Sequence, residues 1–259
     1  MEKTLLVSKS FTLFGREISF YGLIISIAML LGVLVAVYIV KKKNYSKDIP
    51  INIALYALPC AIVGARLYYC AFHGVSDFWQ IFRVWEGGMA IYGGVIGGFL
   101  GILLCSKIHK YSLLECCDLA APCLILGQAI GRFGCYFAGC CYGVETTDPM
   151  LMFFPLSVQI DGVWHLATFF YESFIDLLGF VILFTLTHKI NTIGVVTAGY
   201  FIIYGTARAI LEAFRDPAEC LMIGNLRVSL LLSVLLVALG GVLLFIILKK
   251  KEKGQKVNE

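Results

Sequence analysis

Apolar residues fill long runs of this chain, and short charged stretches separate one run from the next. Each run approaches the length of about 20 residues that a helix needs to cross roughly 30 Å of hydrocarbon. The pattern therefore predicts an all-α integral membrane protein with about seven transmembrane helices. The predicted helices lie at residues 19–40, 51–72, 88–106, 113–130, 168–187, 194–213 and 228–248.

The composition agrees with a bilayer environment. Of the 259 residues, 59% are hydrophobic and 15% are charged, and the mean hydropathy is +0.86. A water-soluble domain is far less apolar. No basic patch with interleaved aromatic residues occurs, so nucleic acid is not an expected partner. We expect a single polytopic membrane domain over residues 1–259 with a short basic tail at about 249–259, and no cofactor.

Basic clusters follow every second predicted helix. They read KKKNYSK after the first, SKIHK after the third, THK after the fifth and KKKEKGQK after the seventh. Because lysine and arginine concentrate in cytoplasmic loops, this pattern predicts an external N-terminus and a cytoplasmic C-terminus. The first run is too long for a cleaved signal segment and lacks a small-residue cleavage site, so we expect a retained helix.

Three arginines fall within the predicted helices or at their external edge: Arg66, Arg132 and Arg208. An arginine at membrane depth costs at least a few kcal/mol unless it is paired or reaches water, which makes each a functional candidate. Alternatively, each side chain extends from a helix end to the phosphate headgroups. Arg208 fits this alternative least well, because Tyr204 and Glu212 share its helix face. That face is either a structural ion pair or the wall of a polar cavity.

Acidic residues also recur in the predicted helices, at Asp118, Glu172 and Asp176. The last two are four residues apart and therefore share one helix face. They indicate that the helices enclose a polar interior. The third helix instead carries a glycine stripe, which permits close helix packing. The stripe follows Tyr92 and comprises Gly93, Gly94, Gly97, Gly98 and Gly101.

Three cysteines lie close together in GRFGCYFAGCCYG: Cys135, Cys140 and Cys141. Vicinal cysteines and a C-x4-C-C spacing do not match the usual zinc-binding pairs, so no metal site is expected. A nucleophilic thiol beside Arg132 is conceivable, since a cation lowers the pKa of a thiol. A disulfide in an oxidising exterior is the favoured interpretation.

Six motifs occur in order along the chain. They are YGL, GARLYY, VWEGGMAIYGG, DLAAPCLILGQAIGRFGCYFAGCCYG, FYES and YGTARAILEAFRDP. One motif overlaps each of the first six predicted helices, and the third, fourth and sixth motifs extend beyond the predicted bounds. Over residues 18–217 this combination resembles the prolipoprotein diacylglyceryl transferase family. The resemblance implies a multi-pass enzyme of the bacterial cytoplasmic membrane, surrounded by membrane lipids. Its members move the diacylglyceryl group of phosphatidylglycerol onto the lipobox cysteine of an exported prolipoprotein and release glycerol phosphate.

The resemblance also implies roles for individual residues. Arg132 matches the essential signature arginine that binds the phospholipid, and Arg208 and Glu212 match a second arginine and a glutamate. Arg132, Arg208 and Tyr92 are thus the expected catalytic residues. The expected substrate-binding residues are Arg132, Tyr21, Arg66, Glu212, Gly93, Gly94, Cys135 and Gly143.

The chain departs from the family pattern at several polar positions. Tyr92 stands where the family usually has histidine, and Cys135, Ala138 and Cys140 replace two asparagines and a glutamate. A thiol of pKa about 8.5 needs help to ionise, and a tyrosine of pKa about 10 is a poor base. Two alternatives therefore stand beside the transferase: a paralogue that binds or transports lipid without chemistry, and a membrane thiol-redox protein.

Overall fold

Seven helices run through the part of the chain that the computed structural model describes, which is residues 10–13, 16–43, 45–73, 79, 88–215, 222–223 and 226–256. The helices are α1 (Phe20–Lys43), α2 (Ile49–His73), α3 (Ile91–His109), α4 (Leu113–Ala138), α5 (Thr168–Lys189), α6 (Val195–Glu212) and α7 (Val228–Lys256). The strands are β1 (Ser10–Leu13), β2 (Arg16–Ser19), β3 (Ser157–Ile160), β4 (Val163–Leu166), β5 (Met222–Ile223) and β6 (Leu226–Arg227). Consecutive strands pair as three antiparallel hairpins.

Among the described residues, six helices are long and apolar enough to cross a membrane. The remaining helix, α6, has 18 residues and carries Arg208 and Glu212 in its C-terminal part. The prediction of an all-helical, multi-pass membrane protein is confirmed. The orientation of the two termini stays a prediction.

The described chain divides into two compact units. One is Val35–Ala120, and the other combines Met1–Leu34 with Ala121–Glu259. In the first unit, α3 lies directly against α2. A methyl group on Gly93 would overlap the Gly64 carbonyl oxygen, and one on Gly101 would lie 2.6 Å from the Tyr56 carbonyl oxygen. The prediction that the glycine stripe permits close helix packing is confirmed.

In the second unit, small residues bring α6 against α7. A methyl group on Gly205 would lie 2.9 Å from the Ser233 carbonyl oxygen, and one on Gly240 would lie 2.8 Å from that of Ala198. Helices α4, α5 and α6 share an apolar core, because Ala121, Ile125, Leu183 and Val196 bury their side chains together. These contacts fix the helices that carry the site described below.

Helix α4 is longer than predicted. The expected end at residue 130 was wrong, since the helix continues to Ala138. In the additional turns, the ring of Tyr21 packs where a Gly134 side chain would lie, with Cδ2 2.8 Å from that position. The helix ends where Gly139 adopts a φ of 66°, a left-handed conformation that commonly terminates helices. Arg132 and Cys135 are therefore helical residues.

The connection between α4 and α5 contains a hairpin that the apolar pattern did not predict. Strands β3 and β4 pair in register from Ser157 opposite Leu166 to Ile160 opposite Val163. Asp161 and Gly162 form the two-residue turn with φ values of 51° and 84°, as in the Asp-Gly turns that join tight hairpins. Helix α7 also exceeds its predicted end at 248 and runs through most of the basic stretch that we expected to be a tail.

Candidate functional site

Four charged side chains from three helices form a chain of buried ion pairs. Arg132 of α4 pairs with one carboxylate oxygen of Glu172 of α5. Arg208 of α6 lies 3.0 Å from the other oxygen of Glu172. A second nitrogen of Arg208 lies 3.5 Å from Glu212, one turn further along α6. Glu172 thus holds two guanidinium groups side by side.

The ion pairs decide between the alternatives for the arginines. The side chains of Arg132 and Arg208 are only 16% and 12% exposed, so neither extends to the surface from a helix end. The Glu172 side chain is 5% exposed. Sequence reasoning placed Glu172 in a polar interior without assigning it to the site. Its position in the FYES motif, four residues before Asp176, was the available signal.

Helix α5 is held against α4 close to this network. The Ser173 hydroxyl donates to the Ala129 carbonyl at 2.7 Å, one turn before Arg132 on α4. Gly179 lets the helices approach further, since a methyl group there would lie 2.5 Å from Ile125 Cδ1. The predicted polar interior is confirmed, because Asp176 is 1% exposed one turn beyond Glu172.

The chain folds back sharply after α4. Cys141 adopts a φ of 60°, which is unusual for a residue with a side chain. Its sulfur lies 3.6 Å from Arg132 Nη1, and its carbonyl accepts a hydrogen bond of 2.9 Å from the Thr168 hydroxyl. This turn brings the sulfur atoms of Cys135, Cys140 and Cys141 within 4.8 Å of one another.

None of the three cysteines of this cluster is joined in a disulfide in the structure, so the expected disulfide is not formed there. The spacing argument against a metal site did not anticipate that the sulfurs converge. The sulfur atoms converge because α4 ends at Ala138 and the chain turns back through the left-handed Cys141. This geometry differs from that of a zinc knuckle, and so does the cysteine spacing.

Gly143 lies where three segments meet. Its N–H donates to the Leu166 carbonyl of β4 at 2.8 Å, and its own carbonyl contacts His165 Nδ1 at 3.2 Å. A methyl group on Gly143 would lie 2.6 Å from the Phe214 carbonyl, just past α6. Close packing therefore explains why glycine occupies this position, while its role in binding substrate stays a prediction.

Tyr21 lies at the edge of the same unit. Its ring packs on Gly134 of α4, two residues after Arg132, and the residue is 42% exposed. An exposed tyrosine next to a buried arginine suits contact with a lipid headgroup, because its ring is apolar and its hydroxyl is polar. The position agrees with the predicted role of Tyr21 and does not test it.

The remaining predicted residues lie in the Val35–Ala120 unit. Arg66 is buried, donates to the Gly88 carbonyl at 3.1 Å and places its guanidinium 5.8 Å from the Tyr69 ring centre. The Tyr92 ring lies 6.3 Å from that of Tyr68. Gly94 has room for a side chain, since a methyl group there would only touch the Ala65 methyl at 3.6 Å. The roles of these residues in binding substrate or in catalysis stay predictions.

Fold and site together define a multi-pass membrane protein that buries two arginines in a network with two carboxylates, those of Glu172 and Glu212. The family model for prolipoprotein diacylglyceryl transferase matches residues 9–246. The chain belongs to this family.

Relatives of known name agree with this assignment. The chain is 34% identical to phosphatidylglycerol–prolipoprotein diacylglyceryl transferase 1 of Clostridium perfringens, over 96% of this chain and 98% of that protein. It is 37% identical to the corresponding transferase of Clostridium botulinum strain Langeland, over 91% and 95%. The Listeria monocytogenes serotype 4a enzyme is 35% identical, over 88% and 86%.

Proposed function

We propose that this protein transfers the diacylglyceryl group of phosphatidylglycerol to the cysteine thiol of a lipobox segment in exported prolipoproteins, within the bacterial cytoplasmic membrane. The observation that carries the proposal is the pair of buried arginines joined through Glu172. The names of relatives that cover nearly the whole chain support it.

The reaction needs an anion site at membrane depth. The acceptor sulfur forms a bond to the glyceryl carbon that carries the phosphate. The bond from this carbon to the phosphate oxygen breaks, its electron pair stays on the departing glycerol phosphate, and the thiol proton passes to a base. Guanidinium groups stabilise such a leaving group through paired N–H donors, and they do so most strongly where water is excluded.

In this proposal, the two guanidinium groups that share Glu172 bind one phosphate. Each arginine has five N–H donors, and the contacts to Glu172, Cys141 and Glu212 occupy only some of them. The bridging carboxylate keeps the two guanidinium groups together before the lipid binds. It also offsets part of their mutual repulsion, which would be large in a medium of low dielectric constant.

A direct assay tests the proposed function. Purified protein receives phosphatidylglycerol labelled in its acyl chains together with a lipobox peptide, and the expected product is a peptide with a diacylglyceryl thioether. A peptide with serine in place of the acceptor cysteine is the control and should remain unmodified. If the protein binds the labelled lipid but forms no thioether, it is a lipid-binding paralogue and the transferase proposal is wrong.

The Tyr92 hydroxyl is expected to contribute to transfer by hydrogen bonding to a phosphate oxygen or to the acceptor thiol. Tyr92→Phe keeps the ring beside Tyr68 and removes only the hydroxyl, so turnover should fall by roughly ten- to a thousandfold. Tyr92→His should retain or raise activity, because an imidazole of pKa about 6.5 is the better base near neutral pH. Initial rates of thioether formation measure both effects.

Tyr68→Phe is the matched control for this experiment, since it removes a hydroxyl from the neighbouring ring in the same unit. It should leave the rate within about twofold of the parent, as expected for a change outside the reaction. Parental activity in Tyr92→Phe would show that the hydroxyl has no part in the reaction and that the ring serves packing.

A further inference from the structure

The sulfur atoms of Cys135, Cys140 and Cys141 form a compact cluster. All lie within 4.8 Å of one another. Most single cysteines in membrane helices act as small apolar side chains. Three converging thiols are a different arrangement, because they present three soft ligand atoms to one point.

The fold maintains this convergence at a conformational cost. Cys135 projects from the last turn of α4, and the chain then reverses through left-handed residues at Gly139 and Cys141. Strained conformations of this kind persist where surrounding contacts determine them, and they concentrate at functional sites. Here the Thr168 hydroxyl holds the Cys141 carbonyl, and Arg132 lies against the Cys141 sulfur.

The cluster lies between an apolar side and a cationic side. The apolar side is formed by Tyr142, Val158 and Phe169. On the cationic side, Arg132 Nη1 lies 3.6 Å from the Cys141 sulfur, so a positive charge is available beside a metal–thiolate centre.

The distances suit a small thiophilic cation. Zinc–sulfur bonds of about 2.3 Å in tetrahedral geometry separate the sulfurs by about 3.8 Å, so these sulfurs need to approach by no more than about 1 Å. Within the described part of the chain, no histidine or carboxylate joins the three sulfurs as a fourth ligand. Three protein ligands and one open position are typical of zinc sites that bind a water or a substrate.

We propose that Cys135, Cys140 and Cys141 bind one thiophilic divalent cation, such as Zn²⁺, through three thiolates, with the fourth coordination position open to an external ligand. Binding releases the thiol protons to solvent, and the neighbouring guanidinium groups offset the negative charge of the metal–thiolate centre. An external thiol is a suitable fourth ligand, because coordination to the cation removes its proton.

Deprotonation of a metal-bound thiol would serve the reaction proposed above, in which the acceptor is a thiol. That use rests on the proposed function, whereas the metal site itself does not. The experiment therefore measures metal binding in the absence of lipid and acceptor peptide. A failed transfer assay would leave its outcome unaffected, and so the two proposals can fail separately.

The test uses purified full-length protein that is reduced, free of metal and kept in detergent. Co²⁺ is titrated into this protein under anaerobic conditions. Cobalt replaces zinc in tetrahedral sites and, unlike zinc, absorbs visible light. We expect sulfur-to-cobalt charge-transfer bands and tetrahedral d–d bands that saturate at one equivalent and disappear when Zn²⁺ is added. No bands, or bands that do not saturate at one equivalent, would overturn the proposal.

Single variants assign the ligands. Cys135→Ser, Cys140→Ser and Cys141→Ser should each weaken Co²⁺ binding at least about tenfold, because serine is a poor ligand for soft metals. Cys123→Ser is the matched control, since it changes a cysteine of the same helix outside the cluster and should bind as the parent does. Unchanged affinity in the cluster variants would exclude the site.

A measurement on the parent protein avoids any effect of the variants on folding. Maleimide labelling followed by mass spectrometry should show that Zn²⁺ slows modification of Cys140 and Cys141 and leaves the rate at Cys70 unchanged. Equal rates with and without Zn²⁺ contradict the proposal. A redox role is favoured instead if freshly purified protein contains a disulfide between two of the cluster cysteines and Zn²⁺ does not protect the third.

Discussion

Arg132→Ala is expected to lower the rate of diacylglyceryl transfer by about a thousandfold or more, because it removes a charged group that stabilises the negative charge on the departing phosphate oxygen. Arg132 reaches the site from α4 with both terminal nitrogens engaged, one at Glu172 and one at Cys141. Alanine removes the positive charge from a buried position to which water has little access. The initial rate of thioether formation, at equal amounts of inserted protein, measures the effect.

Two further variants sharpen this prediction. Arg132→Lys should also be poor, since an ammonium group cannot reproduce the planar fork that contacts two acceptors at once. Lys189→Ala removes an exposed positive charge at the end of α5 and should transfer at the parental rate. If Arg132→Ala kept full activity, this arginine would have no part in the mechanism.

The helices could be predicted from the sequence because the membrane imposes a simple length requirement on apolar runs. The end of α4 could not be predicted in this way. The apolar run ends near residue 130, whereas the helix continues past Gly134, on which Tyr21 packs. The hairpin of β3 and β4 has a local sequence signal, the Asp-Gly turn at Asp161 and Gly162, but the pattern of apolar runs does not indicate it.

The site was predicted in part. Arg132 and Arg208 stood out because charge is costly in a membrane, and the i, i+4 spacing correctly paired Arg208 with Glu212. The bridge through Glu172 depends on the relative rotation of α4, α5 and α6, which one sequence does not give. The convergence of three thiols similarly depends on backbone angles at Gly139 and Cys141 that spacing cannot indicate.

Glu172→Ala is expected to impair both stability and transfer. It leaves two buried guanidinium groups without their shared carboxylate, and breaking a buried pair in this way costs about 3–5 kcal/mol. Transfer should fall by about a hundredfold or more, because the arginines then separate and no longer converge on one phosphate. Thermal unfolding in detergent and the rate of thioether formation measure the two effects. Glu252→Ala, which removes an exposed carboxylate from α7, should change neither.

The double variant Arg132→Ala/Glu172→Ala separates the structural role of Glu172 from its role in the reaction. Removing Arg132 together with Glu172 relieves the repulsion between the guanidinium groups of Arg132 and Arg208, so the double variant should unfold at a higher temperature than Glu172→Ala alone. Residues in direct contact couple in this way by about 0.5–3 kcal/mol. Transfer should stay as low as in Arg132→Ala, because removing the repulsion does not replace the guanidinium group that binds the phosphate. Additive losses of stability would mean that the two side chains are not paired, and recovered transfer would contradict the role of Arg132 in binding phosphate.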